Sequence, residues 1–129
     1  MVALAAGTNE VTMTTVPRRI HGYARSAAYS VGVEEEFQLL DPQTFELVPV
    51  VEGLLASIGD ADRAQVKHEL MQSVVETATT VCANVDAAVA DLRRLRQLVI
   101  DRADQLGALV ASAGTTPVSR WEDQVISDK

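Results

Sequence analysis

The residues best suited to chemistry lie close together in Val31-Gly32-Val33-Glu34-Glu35-Glu36-Phe37-Gln38-Leu39-Leu40. This stretch has the length of one strand. A period of two places Val31, Val33, Phe37 and Leu39 on one face, with Gly32, Glu34, Glu36 and Gln38 on the other. Two carboxylates two residues apart on a pleat stand roughly 7 Å apart along the strand. Oxygen donors at that spacing can share one hard cation or hold two neighbouring ones, and Mg²⁺ brings phosphate with it. Gly32 lets a ligand or another backbone come close. The plain alternative, glutamates solvated on the open face of a half-buried strand, is common and stays open at this point.

The elements that must position these groups follow in order. Asp41-Pro42-Gln43-Thr44 reads as a turn and Phe45–Pro49 as a short return strand, so the spacing predicts a β-hairpin closed by Pro49. Val51, Leu54, Leu55 and Ile58 are spaced for a helix over 50–58, with Gly59 as its stop. The β-branched second half of 66–81 predicts a strand over 70–80, on which Glu76 shares a face with Leu70, Gln72 and Val74. Glu69 lies an odd number of residues from Glu76. It therefore faces the other way, unless a bulge intervenes or it sits in the preceding loop.

Asn84 caps the clearest helix, in which Val85, Ala88, Val89, Leu92, Leu95, Val99, Ala103 and Leu106 repeat at three and four residues before Gly107. Arg93, Arg94, Arg96 and Arg102 read as its solvated face, from which one side chain could reach an acidic site. Residues 108–113 read as a buried strand, and Gly114-Thr115-Thr116-Pro117 as a loop open to close approach by a ligand or simply a turn. Trp121 falls on a short helical segment. The fold class is α+β. Residues 1–29 lack periodicity and read as a mobile arm, in which Met13 is an alternative start.

Composition bounds the function. The 129 residues suit one domain, and a net charge of −7 opposes binding to nucleic acid or an anionic membrane. Apart from Glu10, every acid lies from Glu34 onward. An acidic body that handles phosphate must do so through metal ions and a few arginines. The single cysteine, Cys82, cannot form an internal disulfide and reads as a small buried side chain. No run is long and apolar enough for a membrane span, so a cytoplasmic location is expected.

Taken together and in order, several pieces carry a resemblance. They are Val31–Phe37 with Asp41-Pro42, then Glu69-Leu70 through Ser73 to Val75-Glu76 and Thr79, then Val81-Cys82. Leu92-Arg93, Leu95-Arg96, Gly114-Thr115, Pro117, Trp121 and Gln124 complete them. Over residues 30–129 the chain resembles the YbdK-type carboxylate–amine ligases, the second family of glutamate–cysteine ligases. The resemblance implies a glutamine-synthetase-like antiparallel sheet with packed helices, of which this chain would be the N-terminal part. It implies ATP and Mg²⁺ as cofactors, with glutamate and cysteine, or a related amine, as substrates.

Carried over by position, Glu34, Glu36 and Glu76 would hold metal and ATP phosphates, while Glu69 and Thr115 would contact substrate or metal. No catalytic base is assigned. Thr116 stands where such ligases commonly carry histidine. The family's catalytic domain is far longer, so an open sheet edge and an exposed apolar face are expected, with a tendency to pair with a second copy. The contrasting expectation is a truncated, non-catalytic fragment that acts as a binding or oligomerising module.

Overall fold

The computed structural model describes residues 29–127; the expected arm, except Tyr29, lies outside them. The glutamate-rich stretch forms β1 (Glu34–Leu40), and the chain continues through α1 (Val51–Ala56), β2 (Val66–His68), β3 (Val74–Ala78), α2 (Val85–Gln105) and β4 (Leu109–Ala111). A single 3₁₀ turn follows at Trp121–Asp123. The strands form one sheet in the order β2-β3-β1-β4, antiparallel at every pairing.

Alternation along β1 decides which side of the sheet is covered. Phe37 and Leu39 turn towards the helices and join Val51, Leu54, Val66, Val75, Leu95 and Val99 in the core. Burial of each such side chain stabilises the fold by about 1.5–3 kcal/mol. The cross-strand register then puts Glu34, Glu36, Glu76 and Lys67 on the opposite side, over which no helix packs among the described residues.

The α2 helix agrees with its sequence signature. The Asn84 Oδ1 accepts the Ala87 amide at 2.9 Å, and Gly107 leaves the helix at φ +71°. Cys82 is buried as expected, and its thiol donates to the Thr80 carbonyl.

Several expectations need correction. The hairpin over 31–49 contracts to the single bridge of Leu40 with Leu47, and Val31 bridges instead to Cys82 beyond β3. The Asp41 carboxylate accepts the Gln43 and Thr44 amides, and Phe45 takes φ +60°, so the chain bends before a return strand can form. Helix α1 ends at Ala56, short of the expected Ile58. The expected strand over 70–80 is instead the hairpin β2–β3, with residues 69–73 between the two strands. Leu70–Gln72 satisfy their backbone against residues 125–127 rather than within the sheet: Gln72 donates to the Val125 carbonyl, and the Ser127 amide donates to Leu70. The strand over 108–113 is regular only at Leu109–Ala111.

Arginines 94 and 96 are not merely solvated. Arg94 binds Asp91 and Asp62, and Arg96 binds Glu35 through two nitrogens. Asp91 ties three elements together. It accepts from the Thr80 amide and hydroxyl beyond β3, from Gln65 before β2, and from Arg94 on its own helix. The Thr80 amide, more than any other group, holds its carboxyl below the ordinary 3.8.

Two outcomes follow. Leu39→Ala should cost about 2–5 kcal/mol in urea unfolding, because the core around it cannot fully collapse. Asp91 has a lowered folded pKa, so its ionisation contributes stability that is complete above about 3.8 and lost as pH falls through the folded value. The stability gap between the parent and Asp91→Asn should therefore be widest near neutral pH and close in acid, as read from urea midpoints across that range.

Candidate metal and substrate site

Antiparallel pairing places Glu36 of β1 directly opposite Glu76 of β3, and Glu76 opposite Lys67 of β2. Glu69 lies just beyond β2, freed from the strand's alternation, and comes round to the same side. One carboxylate oxygen from each of Glu36, Glu69 and Glu76 lies within 4.8 Å of the other two. Glu36 is exposed, whereas Glu69 and Glu76 are half-buried.

Two contacts orient the cluster. Glu69 Oε2 accepts the Leu70 amide at 2.9 Å, and the Lys67 ammonium lies 3.4 Å from Glu76 Oε1. Like charges placed directly across a strand pair repel, so a single half-exposed lysine leaves this face with an excess of negative charge. Glu34 shares the face, opposite Ala78, but is not one of the three that converge.

A depression of about 210 Å³ runs from Glu36 past Gln38 and Val74 to Ser112 and Gly114. It shares Gln38, Val74 and Gly114 with a larger groove of about 490 Å³, whose walls include Met71, Ser73, Thr115, Trp121 and Gln124. The Ser73 hydroxyl is buried and donates to Gln124 Oε1 at 2.8 Å, while the Gln124 amide donates to the Arg120 carbonyl. The Leu47 amide donates to Ser119 Oγ at 2.8 Å. These bonds dock the Trp121 turn beside the open sheet face. Thr115 lines the groove, as does Thr116 beside it.

The structure therefore brings together Glu36, Glu69 and Glu76, places Glu34 at the margin, and sets Thr115 in an adjoining groove. Sequence reasoning did not assign Lys67, Ser73 or Gln38 to the site. Gln38 carried a usable signal, since it shares the parity of Glu34 and Glu36; Ser73 carried only its place among the residues of the resemblance, because its position beside Gln124 depends on the turn at 69–73.

The profile of glutamate-cysteine ligase family 2 matches residues 30–129, which include all of these side chains. The chain belongs to this family. Among its relatives is a protein of Rubrobacter xylanophilus, provisionally named glutamate–cysteine ligase 2-1. It is 41% identical over 103 residues, covering 80% of this chain and 27% of the relative. Similarly named relatives from a Roseiflexus species and from Herpetosiphon aurantiacus are each 40% identical, over 77% and 76% of this chain and 26% of their own length. The chain thus spans about a quarter of the length of the glutamate–cysteine ligase family 2 proteins it matches.

Gln124→Ala should leave the Ser73 hydroxyl buried without its acceptor. A loss of about 1–3 kcal/mol is expected. Faster amide hydrogen exchange at Asp123 and Gln124, whose amides donate to the Arg120 and Trp121 carbonyls, should accompany it as the turn loosens.

Proposed function

We propose that this chain forms the metal- and phosphate-binding wall of an ATP-dependent carboxylate–amine ligase. The observation that supports this best is the convergence of Glu36, Glu69 and Glu76 within 4.8 Å on an uncovered sheet face, in a chain of a family named for glutamate–cysteine ligation. The three donors are all oxygens, which suits a hard cation. Adjacent ligands in an Mg²⁺ octahedron stand about 3 Å apart and opposite ones about 4.2 Å, so rotation of these glutamate side chains by up to about 2 Å at the oxygens would bring them to that geometry. Mg²⁺ held there would neutralise charge on the ATP phosphates.

In this reading Glu36, Glu69 and Glu76 bind the first cation, and Glu34, further along the same face, extends the site towards a second or towards the phosphates. Lys67 keeps the Glu76 carboxylate turned into the cluster. The groove lined by Gln38, Met71, Thr115 and Trp121 receives the organic substrates, with the Gly114–Thr116 backbone at its rim. The reaction is the family's. The γ-carboxylate of glutamate takes the γ-phosphoryl group of ATP and releases ADP. The amine of cysteine, or a related amine, then forms the C–N bond as the C–O bond to phosphate breaks, and gives up a proton. The carboxylates act as ligands here, and none is a general base.

The sheet around this site fits one wall of a glutamine-synthetase-like funnel. A second wall, from further sequence or from another copy, would exclude water over the phosphates. The buried thiol of Cys82 suits a reducing, cytoplasmic setting. No helix among the described residues is long and apolar enough to cross a membrane.

Mn²⁺ titrated into the chain and followed by electron paramagnetic resonance should bind. Glu76→Gln or Glu36→Gln should each weaken that binding by tenfold or more while leaving circular dichroism unchanged. Parent-like Mn²⁺ affinity in both variants would remove these residues from the site. ADP release from Mg-ATP should depend on glutamate, rise with cysteine, and vanish in Glu36→Gln wherever the site is fully assembled.

A further inference from the structure

The partner of Glu35, the middle glutamate, has no place in the reading above. Alternation turns Glu35 to the helix side, away from the metal cluster, and there it takes both Nε and Nη2 of Arg96 from α2. Its backbone carbonyl also accepts the buried Thr77 hydroxyl at 3.4 Å. The reason such a clamp matters lies in the pairing of β1. On the β3 side β1 is paired from Glu34 to Gln38, but on the β4 side only from Gln38 to Leu40. Among the described residues, Glu34–Phe37 therefore have one strand neighbour where a central strand would have two. Arg96 stands where β4 does not reach. It lines a hollow of about 280 Å³ together with Phe37, Ile100, Val110 and Ser112. A guanidinium–carboxylate fork is geometrically specific, which a lysine ammonium is not.

We infer that Arg96 is a positioning residue for the carboxylate cluster: by gripping Glu35 from α2 along the stretch that β4 does not pair, it fixes the half of β1 that carries Glu34 and Glu36. The inference rests on the proposed metal-binding reading for its functional consequence, though not for its structural part. Arg96 touches neither metal nor substrate. Removing a partner that orients a ligand typically costs about 10–100-fold in metal affinity.

The sign of the effect separates this role from simple electrostatics. Arg96→Gln removes a positive charge near an acidic site, so through its field alone the substitution would tighten cation binding. Loss of positioning weakens it. Mn²⁺ affinity measured by electron paramagnetic resonance on the full chain should fall about tenfold in Arg96→Gln. It should fall similarly in Glu35→Gln, and no further in the double variant, since the two act as one unit. Arg96→Lys, which keeps the charge and loses the fork, should fall between parent and Arg96→Gln. In the metal-free chain, amide hydrogen exchange should speed up at Glu34–Phe37 in Arg96→Gln while β3 and the α2 core keep their protection.

An Mn²⁺ affinity in Arg96→Gln that is equal to or tighter than the parent's overturns the positioning role. Unchanged exchange at Glu34–Phe37 does so as well. A parent chain that takes up no Mn²⁺ overturns the proposed function instead, and exchange at Glu34–Phe37 then decides the positioning claim alone.

Discussion

Everything in this structure leans on the pleat of β1. Its alternation drives Phe37 and Leu39 into the core with Leu54, Val75, Leu95 and Val99, and that burial leaves the intervening side chains no choice of direction. A one-residue slip would carry Glu36 into the core and Phe37 into water. The register with β3, Glu36 opposite Glu76 and Phe37 opposite Val75, is therefore fixed by apolar packing on one side and inherited by the carboxylates on the other. The acidic face obtains its geometry from hydrophobic contacts that it does not itself touch.

That inheritance has a cost. Two glutamates directly across a strand pair repel, and a third brought to them by a turn adds to the repulsion. Only Lys67 among the described residues forms an ion pair with the cluster. Three carboxylates placed together cost folding energy, a cost that the proposed binding role would account for. The compensation sits elsewhere. The Asp91 network and the Arg96–Glu35 pair tie α2 to the end of the sheet where β1 and β2 begin and β3 finishes, on the side where the helices pack.

Much of this was legible in the sequence because it rests on short-range rules. Alternation in 31–40 gave the faces of β1, and three-four spacing with Asn84 and Gly107 gave α2 with its boundaries nearly right. The ordered motifs pointed to the family that the profile match establishes. What failed were the places where distant chain decides. Residues 70–73 have a strand-like composition, yet they turn, because their backbone partners are residues 125–127. That turn also resolves Glu69, whose odd spacing from Glu76 ceases to matter once it lies outside the strand. Phe45 adopts a left-handed backbone after the Asp41 turn, which no propensity of phenylalanine announces. The groove beside Trp121 was equally hidden, since it is assembled by bonds from Ser119 and Gln124 back to Leu47 and Ser73.

The pinning of the 69–73 turn by residues 125–127 also sets an order of events. Glu36 and Glu76 meet as soon as β1 and β3 pair, a contact between segments about forty residues apart. Glu69 sits on a turn closed by its own hairpin, with Val74 donating to Met71 and Val51 to Gln72, and held further once the chain has passed through α2, β4 and the Trp121 turn and come back. That last closure spans a somewhat longer loop, at little extra entropic cost. The third carboxylate is thus steadied in two stages, by its own hairpin and then by residues 125–127. A partly unfolded chain that frees residues 125–127 would hold Glu69 less firmly, so that under the proposed function full affinity for a cation becomes a property of the finished fold.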